Sequence, residues 1–352
     1  MSEKLGVGRG KKGVLLVNLG SPQSPNVKDV KKYLNQFLMD GNVIDIPYLL
    51  RLFLVRGIIV PNRSKNSAKL YQKIWTEEGS PLIVNSEKLA GKIKSKIATP
   101  LALAMRYGEP SVKKGLEQLV AQGVENVLVV PLYPQYAMST TRTVIEDVEK
   151  AKSVNFPALK LSYLPAFYHN GAYINVLAKS IKDKIKGAKP DHVLFSYHGL
   201  PERHLRKTDP TGNHCLQTKD CCTTPSKAHK TCYKHQCLTT TALVAKKLGL
   251  ESGTFSNSFQ SRLGKDPWMQ PYTSETVKKM PAKGIKNLAV VTPAFVSDCL
   301  ETIEEIGMEA KEDFVENGGN AFTRIECLND TEEWADLLAS WVEEEALFGV
   351  GY

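Results

Sequence analysis

The chain has 352 residues, of which 42% are hydrophobic and 24% are charged, and this composition excludes a disordered, collagen-like or coiled-coil protein. The length predicts two domains or one large two-lobed domain. The formal net charge is +9. No arginine-rich run accompanies this charge, so a nucleic-acid groove is not indicated and no nucleic-acid partner is expected.

In the N-terminal part we expect no secretory signal, and one stretch is strongly apolar. Residues 1–12 lack the apolar core of a secretory signal. Residues 44–61 are the most apolar stretch, but Arg51 and Arg56 interrupt it, so it is too short and too charged to span a bilayer. We expect a cytoplasmic protein that contacts the inner membrane at most peripherally.

Short apolar runs rich in β-branched residues alternate with longer segments that have the period of a helix. The runs are apolar at nearly every position, as is typical of strands buried on both faces. Their alternation with helices predicts an α/β fold with a parallel, doubly wound sheet. The predicted strands are residues 14–19, 101–106, 126–132, 192–197, 254–259 and 287–292.

The two halves of the chain resemble each other. The matching pairs are residues 13–22 with 192–201 and residues 122–131 with 283–292. This repetition predicts two similar lobes, at 1–165 and 166–330, followed by a C-terminal helix at 331–352. Because ligands bind beyond the carboxyl ends of parallel strands, we expect the site in the cleft between the lobes.

Side chains suited to metal or proton chemistry follow the predicted strands. His198 ends the fourth strand, where an imidazole can accept a proton or bind a metal, or can simply be a hydrogen-bonded core residue. After the sixth strand, Glu301, Glu305 and Glu309 are four residues apart and share one helical face. Such a row is usually a solvated surface. Here it begins at the predicted cleft, where carboxylate oxygens suit a loosely held divalent metal.

Nucleotide chemistry is not indicated. The turn after the first strand, at 18–22 (NLGSP), is not a dinucleotide-binding turn, and the chain has no Walker sequence.

Eight segments at these strand ends closely resemble those of the ferrochelatases, the terminal enzymes of haem synthesis, and occur in the same order. The resemblance extends from Gly13 to about Trp341. The segments are 17–22 (VNLGSP), 78–82 (EGSPL), 105–108 (MRYG), 132–136 (LYPQY), 196–201 (SYHGLP), 259–264 (FQSRLG), 267–268 (PW) and 297–302 (SDCLET). The resemblance implies two Rossmann-like lobes of the chelatase superfamily that close on a porphyrin. It also implies insertion of ferrous iron into protoporphyrin IX with release of two protons.

The resemblance implies roles for individual residues. His198 would accept a proton or first contact the substrate iron, with Glu301 as its acidic partner across the ring. The implied path of protons or metal consists of Asp298, Cys299, Glu305 and Glu309. The implied porphyrin pocket consists of Leu19, Arg63, Arg106, Tyr133, Ser139, Trp268 and Phe295. Core packing is the alternative for the aromatic residues, above all for Trp268.

Two positions distinguish this chain within the family it resembles. Cys299 stands where animal-type enzymes have His, as it does in many Gram-negative members. Leu19 stands where Gram-positive, coproporphyrin-using enzymes have Tyr, which favours protoporphyrin. The alternatives are a chelatase for coproporphyrin, another tetrapyrrole or another metal, and a non-catalytic porphyrin- or haem-binding redox sensor. The retained pair of His198 and Glu301 argues against the sensor.

The apolar stretch at 44–61 corresponds to the lip of the family's porphyrin pocket. A lip that touches a membrane is one interpretation, and a buried helix is the other. In the first case the exposed side chains would be Leu49, Leu50, Phe53, Leu54 and Ile58.

Five of the seven cysteines lie between Cys215 and Cys237, inside an insertion at about 204–238. In a cytoplasmic protein this density indicates a metal before a disulfide. Unrelated free thiols are one alternative. A zinc site is another, although the insertion has no pair of CxxC motifs. A [2Fe–2S] cluster also needs four thiolates.

The resemblance bears on this choice. Animal-type ferrochelatases take cluster ligands from the stretch after LYPQY and from a C-terminal tail. Here that first position is Met138, and residues 341–352 contain no cysteine. The insertion resembles that of bacterial members with an internal [2Fe–2S] cluster. The implied ligands are Cys215, Cys222, Cys232 and Cys237, with Cys221 as the alternative.

Overall fold

A computed structural model describes residues 10–264, 266–344 and 347–348, and these residues form two parallel sheets of four strands each. The strands are β1 (Lys12–Asn18), β2 (Leu101–Met105), β3 (Asn126–Pro131), β4 (Lys160–Tyr163), β5 (His192–His198), β6 (Phe255–Gln260), β7 (Asn287–Val291) and β8 (Ala321–Arg324). The first sheet has the order β2-β1-β3-β4 and the second the order β6-β5-β7-β8, so one topology occurs twice. The predicted α/β class with two similar parallel sheets is confirmed.

Helices connect the strands, and three of the described helices are π-helices with wide i→i+5 turns. The α-helices are α1 (Val27–Leu38), α2 (Tyr48–Leu52), α3 (Val60–Ile74), α4 (Pro81–Lys94), α5 (Val112–Ala121), α6 (Thr143–Asn155), α7 (Gly171–Ala188), α8 (Glu202–Lys207), α9 (Tyr233–Leu248), α10 (Thr273–Lys279), α11 (Lys311–Glu316) and α12 (Glu332–Glu343). The π-helices are π1 (Phe53–Ile59), π2 (Met138–Arg142) and π3 (Glu301–Ala310). Short 3₁₀ turns are Lys227–Lys230 and Pro281–Lys283.

The central strands β1 and β5 hold equivalent places in the two sheets. β1 pairs with β2 and β3, and β5 pairs with β6 and β7, in parallel register throughout. Leu15, Leu16 and Phe195 on these strands are fully buried, because helices cover both faces of each sheet. Parallel register brings the carboxyl ends of neighbouring strands to the same edge of each sheet. Asn18 is the last residue of β1 and His198 the last residue of β5, so each lies at that edge of its own sheet.

The sequence prediction missed the edge strands β4 and β8. Each has four residues, and both mix polar and apolar side chains, such as Ser162 in β4 and Thr323 in β8. Because these two strands are short and contain polar side chains, they lack the apolar run that marks strands such as β1 and β3. Their positions come from their partners, β3 and β7.

A shared core joins the two sheets, with α4, α7 and α12 packed together inside it. Trp334 of α12 is fully buried, and its ring centroid lies 6.0 Å from that of Tyr173 on α7. The predicted C-terminal helix is therefore present as α12, while residues 345–346 and 349–352 lie outside the described part of the chain. The limit between the lobes at 165/166 stays a prediction.

Candidate active site

The loop after β1 in the first sheet meets the loop after β7 in the second sheet. Asn18 at the end of β1 is buried, and its amide donates to Ser86 Oγ (2.9 Å) and to Ser297 Oγ in the loop after β7 (3.4 Å). Gly20 has a φ of +104°, and a Cβ there would lie 1.7 Å from the Tyr107 carbonyl oxygen, so this turn requires glycine. A small cavity between the loops is lined by Leu19, Gly20, Ser21, Tyr33, Tyr71, Ser80, Leu82, Cys299, Leu300 and Glu301.

His198 ends β5 and is half-buried. Its Nδ1 lies 2.6 Å from the Gly199 carbonyl oxygen. Because a carbonyl oxygen only accepts, Nδ1 carries the hydrogen and Nε2 of the neutral ring has the lone pair. The ring of Phe295, in the loop after β7, lies 6.3 Å from the imidazole centroid. The structure therefore brings the predicted proton acceptor beside a predicted pocket residue.

The acidic row at Glu301, Glu305 and Glu309 lies on π3 and not on an α-helix. The row extends from the inside of the molecule to its surface, since Glu301 and Glu305 are half-buried and Glu309 is exposed. Long π-helical segments are rare and occur at functional sites. Although Glu309 is exposed, partial desolvation of its carboxyl and the neighbouring Glu304 raise its pKa above the usual value.

The last residue of β6, Gln260, and the next residue, Ser261, bond to the acidic row at Glu301 and Glu305. The Ser261 N–H donates to Oε1 (2.7 Å) and the Ser261 hydroxyl to Oε2 (2.5 Å), while the Gln260 amide donates to the Glu301 carbonyl oxygen (3.0 Å). Ser261 has a φ of +66°, a left-handed conformation that favours glycine and that often occurs at functional sites. Burial raises the pKa of Glu305, although the Ser261 hydrogen bonds oppose this shift.

Asp298 and Cys299, which precede this row, are both buried. The Asp298 carboxylate accepts hydrogen bonds from Arg324 Nη1 (2.6 Å) and Thr302 Oγ1 (2.7 Å), so it fixes the turn into π3. Burial raises the pKa of the Cys299 thiol well above its usual value, and Glu301 adds to the shift. Cys299 is therefore a neutral thiol beside the cavity.

The first lobe contributes a wall from the loops after β1 and β3. Tyr133 is buried, and its hydroxyl has no hydrogen-bond partner among the described residues. Burial raises the pKa of this hydroxyl far above its usual value. Leu19 lies in the loop after β1 and Ser139 lies in π2 after β3, and both are half-buried.

Arg106, a predicted pocket residue, is engaged by neighbouring groups of the first lobe. Its guanidinium pairs with Asp40 (2.5 Å), donates to Thr143 Oγ1 (2.7 Å) and lies 4.5 Å above the Tyr107 ring. These contacts neutralise the cation inside the first lobe. Arg63, by contrast, is exposed on α3.

Trp268 packs against the turn that follows His198. It forms a β-bridge with Pro201, and a Cβ on Gly199 would lie 3.3 Å from its ring. The indole N–H is buried and has no partner among the described residues. The structure thus brings Trp268 beside His198, as the pocket prediction requires.

The lip at 44–61 is folded as α2 and π1, and its outer side is apolar. The exposed side chains are Tyr48, Leu49, Leu50, Phe53 and Ile58, whereas Leu54 is half-buried. Val55 is fully buried against α1 and α3 and anchors the segment. The buried-helix interpretation therefore fails for most of the predicted side chains. No helix in the described ranges has the length and apolar character needed to cross a bilayer.

Four of the clustered cysteines lie together. The Cys221 and Cys222 sulfurs are 4.0 Å apart, and Cys232 contacts both Cys215 and Cys222. A hydrogen bond from Cys222, with a second from the His235 N–H, lowers the pKa of Cys232 to about 6. By contrast, the pKa values of the neighbouring Cys215 and Cys222 thiols are raised, so Cys232 is the favoured thiolate of these three.

Cys237 lies apart from these four thiols. It is fully buried in the main core, against Tyr233 and Tyr197, and burial raises the pKa of its thiol well above the usual value. Cys221, by contrast, joins the group. Of the predicted ligands, Cys215, Cys222 and Cys232 therefore lie with the alternative Cys221, while α9 places Cys237 in the core.

Two buried carboxylates near the site were not predicted. Asp45 beside the lip accepts from Arg203 Nε (2.7 Å) and pairs with Lys207, both on α8. Glu304 on π3 is buried and pairs with Lys73 Nζ on α3 (2.7 Å). Both pairs join distant parts of the chain, so no local pattern in the sequence marks them.

The chain matches the family profile described as ferrochelatase over residues 11–346. A ferrochelatase from Pseudomonas fluorescens is 48% identical over 336 residues, which are 95% of this chain and 98% of that protein. A ferrochelatase from Opitutus terrae is 46% identical over 334 residues, which are 94% and 96% of the two chains.

Two solved structures share the fold. SirB from Bacillus subtilis with Fe³⁺ has a TM-score of 0.54 at 14% identity, covering 96% of this chain and 98% of that chain. The sirohydrochlorin chelatase SirB from Bacillus subtilis subspecies spizizenii in complex with cobalt has a TM-score of 0.53 at 13% identity, with the same coverage. At this identity the likeness concerns the fold alone. From the profile and the relatives, the chain belongs to the ferrochelatase family.

Proposed function

We propose that this chain inserts ferrous iron into protoporphyrin where the two loops meet, with His198 and Glu301 as its catalytic residues. Iron insertion into protoporphyrin to give haem is the activity that the family membership supports. The single observation that carries the assignment of residues is the acidic row of π3. The row starts at Glu301 beside the cavity and reaches the surface at Glu309.

The reaction needs a proton acceptor and an approach for the metal, because two pyrrole N–H protons leave as one Fe²⁺ enters. The lone pair on Nε2 of His198 suits either task. The Glu301 carboxylate, at the start of π3 after β7, supplies the second acceptor. Both groups follow neighbouring strands of the second sheet, His198 at the end of β5 and Glu301 after β7, so both would reach the ring from that sheet.

Glu305 and Glu309 would carry protons or metal between Glu301 and solvent. Burial raises the pKa values of both carboxyls, so they exchange protons closer to neutral pH than surface carboxylates do. Ser261 fixes the Glu305 carboxylate with two hydrogen bonds. Asp298 and Cys299 would keep the start of this row in place.

The pocket wall would bind the porphyrin through Leu19, Tyr133, Trp268 and Phe295. Buried polar atoms without partners are rare, and the Tyr133 hydroxyl and Trp268 N–H are two of them. A ligand with polar edges would supply the missing partners. Arg63, exposed on α3, would pair with a porphyrin carboxylate.

We infer that the lip touches a lipid surface. An exposed apolar patch marks an interaction site, and this patch covers Leu49, Leu50 and Phe53. Arg56 is exposed within the same segment, where it can meet anionic headgroups, whereas Arg51 donates to the Ile44 and Ile46 carbonyl oxygens. A porphyrin dissolved in the membrane would then enter the pocket directly.

We infer that the insertion holds a [2Fe–2S] cluster on Cys215, Cys221, Cys222 and Cys232. No three His, Cys, Asp or Glu side chains of the described residues converge on a single-ion site. A binuclear cluster spreads four sulfur ligands over two irons, so its thiols need to lie near each other without converging on one point. When bound, such a cluster supplies a one-electron redox centre.

Anaerobic incubation of the purified protein with ferrous iron tests the function. We expect haem from protoporphyrin at a kcat/KM at least about tenfold above that for coproporphyrin. Equal or higher efficiency with coproporphyrin would overturn the substrate assignment, and porphyrin binding without metal insertion would favour the sensor. Iron and acid-labile sulfide in equal amounts would support the cluster, whereas one zinc without sulfide would replace it.

A further inference from the structure

The side chain of Gln236 connects the cysteine-rich insertion to the other lobe. Gln236 lies on α9, four residues after Cys232, and is fully buried. Its Oε1 accepts the Tyr136 N–H at 2.7 Å. Its Nε2 donates to the Lys230 carbonyl oxygen (2.8 Å) and the His229 carbonyl oxygen (3.2 Å). One buried amide thus joins segments about a hundred residues apart.

The Tyr136 end belongs to the predicted pocket. Tyr136 lies in the loop after β3, three residues beyond Tyr133 and three before Ser139. The next turn of α9 holds the same loop, since the Gln135 amide donates to Thr240 Oγ1 at 3.1 Å. Gln236 and Thr240, one turn apart on α9, therefore fix the path of the loop after β3, which contains Tyr133.

The other end belongs to the cysteine cluster. His229 lies in the 3₁₀ turn Lys227–Lys230, and its Nε2 donates to the Cys221 carbonyl oxygen (3.0 Å). His235 stacks on His229 with ring centroids 3.6 Å apart, and its Nδ1 donates to the Cys222 carbonyl oxygen (2.6 Å). A rearrangement of the cysteines therefore moves the 3₁₀ turn whose carbonyl oxygens accept hydrogen bonds from Gln236.

We propose that Gln236 is a positioning residue that couples the order of the cysteine-rich insertion to the shape of the porphyrin pocket. A buried amide that loses part of its hydrogen bonding suffers a desolvation penalty. When the insertion unfolds, Nε2 loses both carbonyl partners, and the amide no longer holds Tyr136 in place. The kinetic part of the proposal rests on the proposed function, whereas the coupling itself does not.

The test replaces Gln236 with Met, which keeps the volume and removes both ends of the connection. We expect the KM for protoporphyrin to rise about tenfold, the loss expected for one buried hydrogen bond, with kcat within about twofold. Amide hydrogen exchange at 133–139 should become faster. Gln236→Glu keeps the acceptor for Tyr136 but replaces the donor to the Lys230 and His229 carbonyl oxygens with an oxygen, so it should raise the KM as Gln236→Met does.

Thr241→Val is the matched control. Thr241 lies on the same helix and is equally buried, but it bonds to Asn257 and Tyr197 within the second lobe. Its loss should lower the melting temperature without changing the KM or the exchange at 133–139. Equal effects of the two variants would mean that Gln236 acts only on stability and would overturn the proposal.

A double-variant experiment tests the coupling without any porphyrin. Cys232→Ser should speed exchange at 133–139 in the wild-type background and add nothing in the Gln236→Met background. Additive effects would refute the coupling. Because exchange is measured on the protein alone, a chain that makes no haem would still give a decisive result.

Discussion

Replacing Leu49, Leu50 and Phe53 with Ser tests whether the lip is a membrane contact or part of the core. These residues are 75%, 60% and 70% exposed, whereas the neighbouring Val55 is fully buried. Exposed positions usually change the free energy of unfolding by no more than about 0.5 kcal/mol each. The triple variant should therefore melt within a few degrees of the wild type, while Val55→Ala should melt clearly lower.

The effect on membrane binding should be much larger. Together the three residues expose the equivalent of about two whole side chains. Burying one such side chain gains about 1.5–3 kcal/mol, so inserting the patch gains about 3–6 kcal/mol. This range corresponds to about two to four orders of magnitude in the partition coefficient.

Sedimentation with vesicles of phosphatidylcholine and an anionic lipid measures this partition. Val154→Ser is the matched control, because Val154 is 72% exposed on α6, outside the patch. We expect the triple variant to lose binding and to show a higher apparent KM for protoporphyrin, with the control unchanged. Unaltered vesicle binding in a normally folded triple variant would refute the lip proposal.

Two further predictions concern the ion pairs between Asp45 and α8 and the cysteines of the insertion. Burial alone would raise the pKa of Asp45, but hydrogen bonds from Lys207 and Arg203 outweigh it and hold this pKa well below its usual range. The carboxylate therefore adds stability that is complete above the unfolded pKa of about 3.9 and is lost as the pH falls towards the folded value. The free energy of unfolding, measured with urea between pH 7 and pH 3, should be lower for Asp45→Asn than for the wild type at neutral pH and should fall less steeply as the pH drops. A fall as steep as that of the wild type would contradict this. Cys232→Ser should abolish the visible spectrum of the proposed cluster and Cys237→Ser should keep it, and the opposite pattern would restore Cys237 as a ligand.

The central strands and the positions of His198 and Glu301 beyond strand ends could be predicted because their signals are local. An unbroken apolar run marks β1 and β5, and His198 follows such a run directly. The four-residue spacing of the acidic row also survives in the structure. Its π-helical turn was not predictable, since the hydrogen-bonding register depends on packing against the first lobe, where Glu304 meets Lys73.

The surroundings of Arg106 and Cys237 could not be predicted from the sequence. Arg106 follows a strand end, as a pocket residue should, but Asp40, sixty-six positions away, neutralises it inside the lobe. Cys237 has the right spacing for a ligand, and only the direction of α9 shows that its thiol enters the core. The environment of each of these side chains depends on residues distant in the sequence, and a short sequence motif does not contain them.

The most direct test of the catalytic assignment measures haem formation and porphyrin binding on the same variants. His198→Ala and Glu301→Gln should bind protoporphyrin with nearly wild-type affinity, judged by fluorescence quenching. Under anaerobic conditions with ferrous iron, we expect His198→Ala to form no measurable haem and Glu301→Gln to lose most of its activity. Haem formation near the wild-type rate by either variant would contradict the placement of proton removal and iron entry between these two residues.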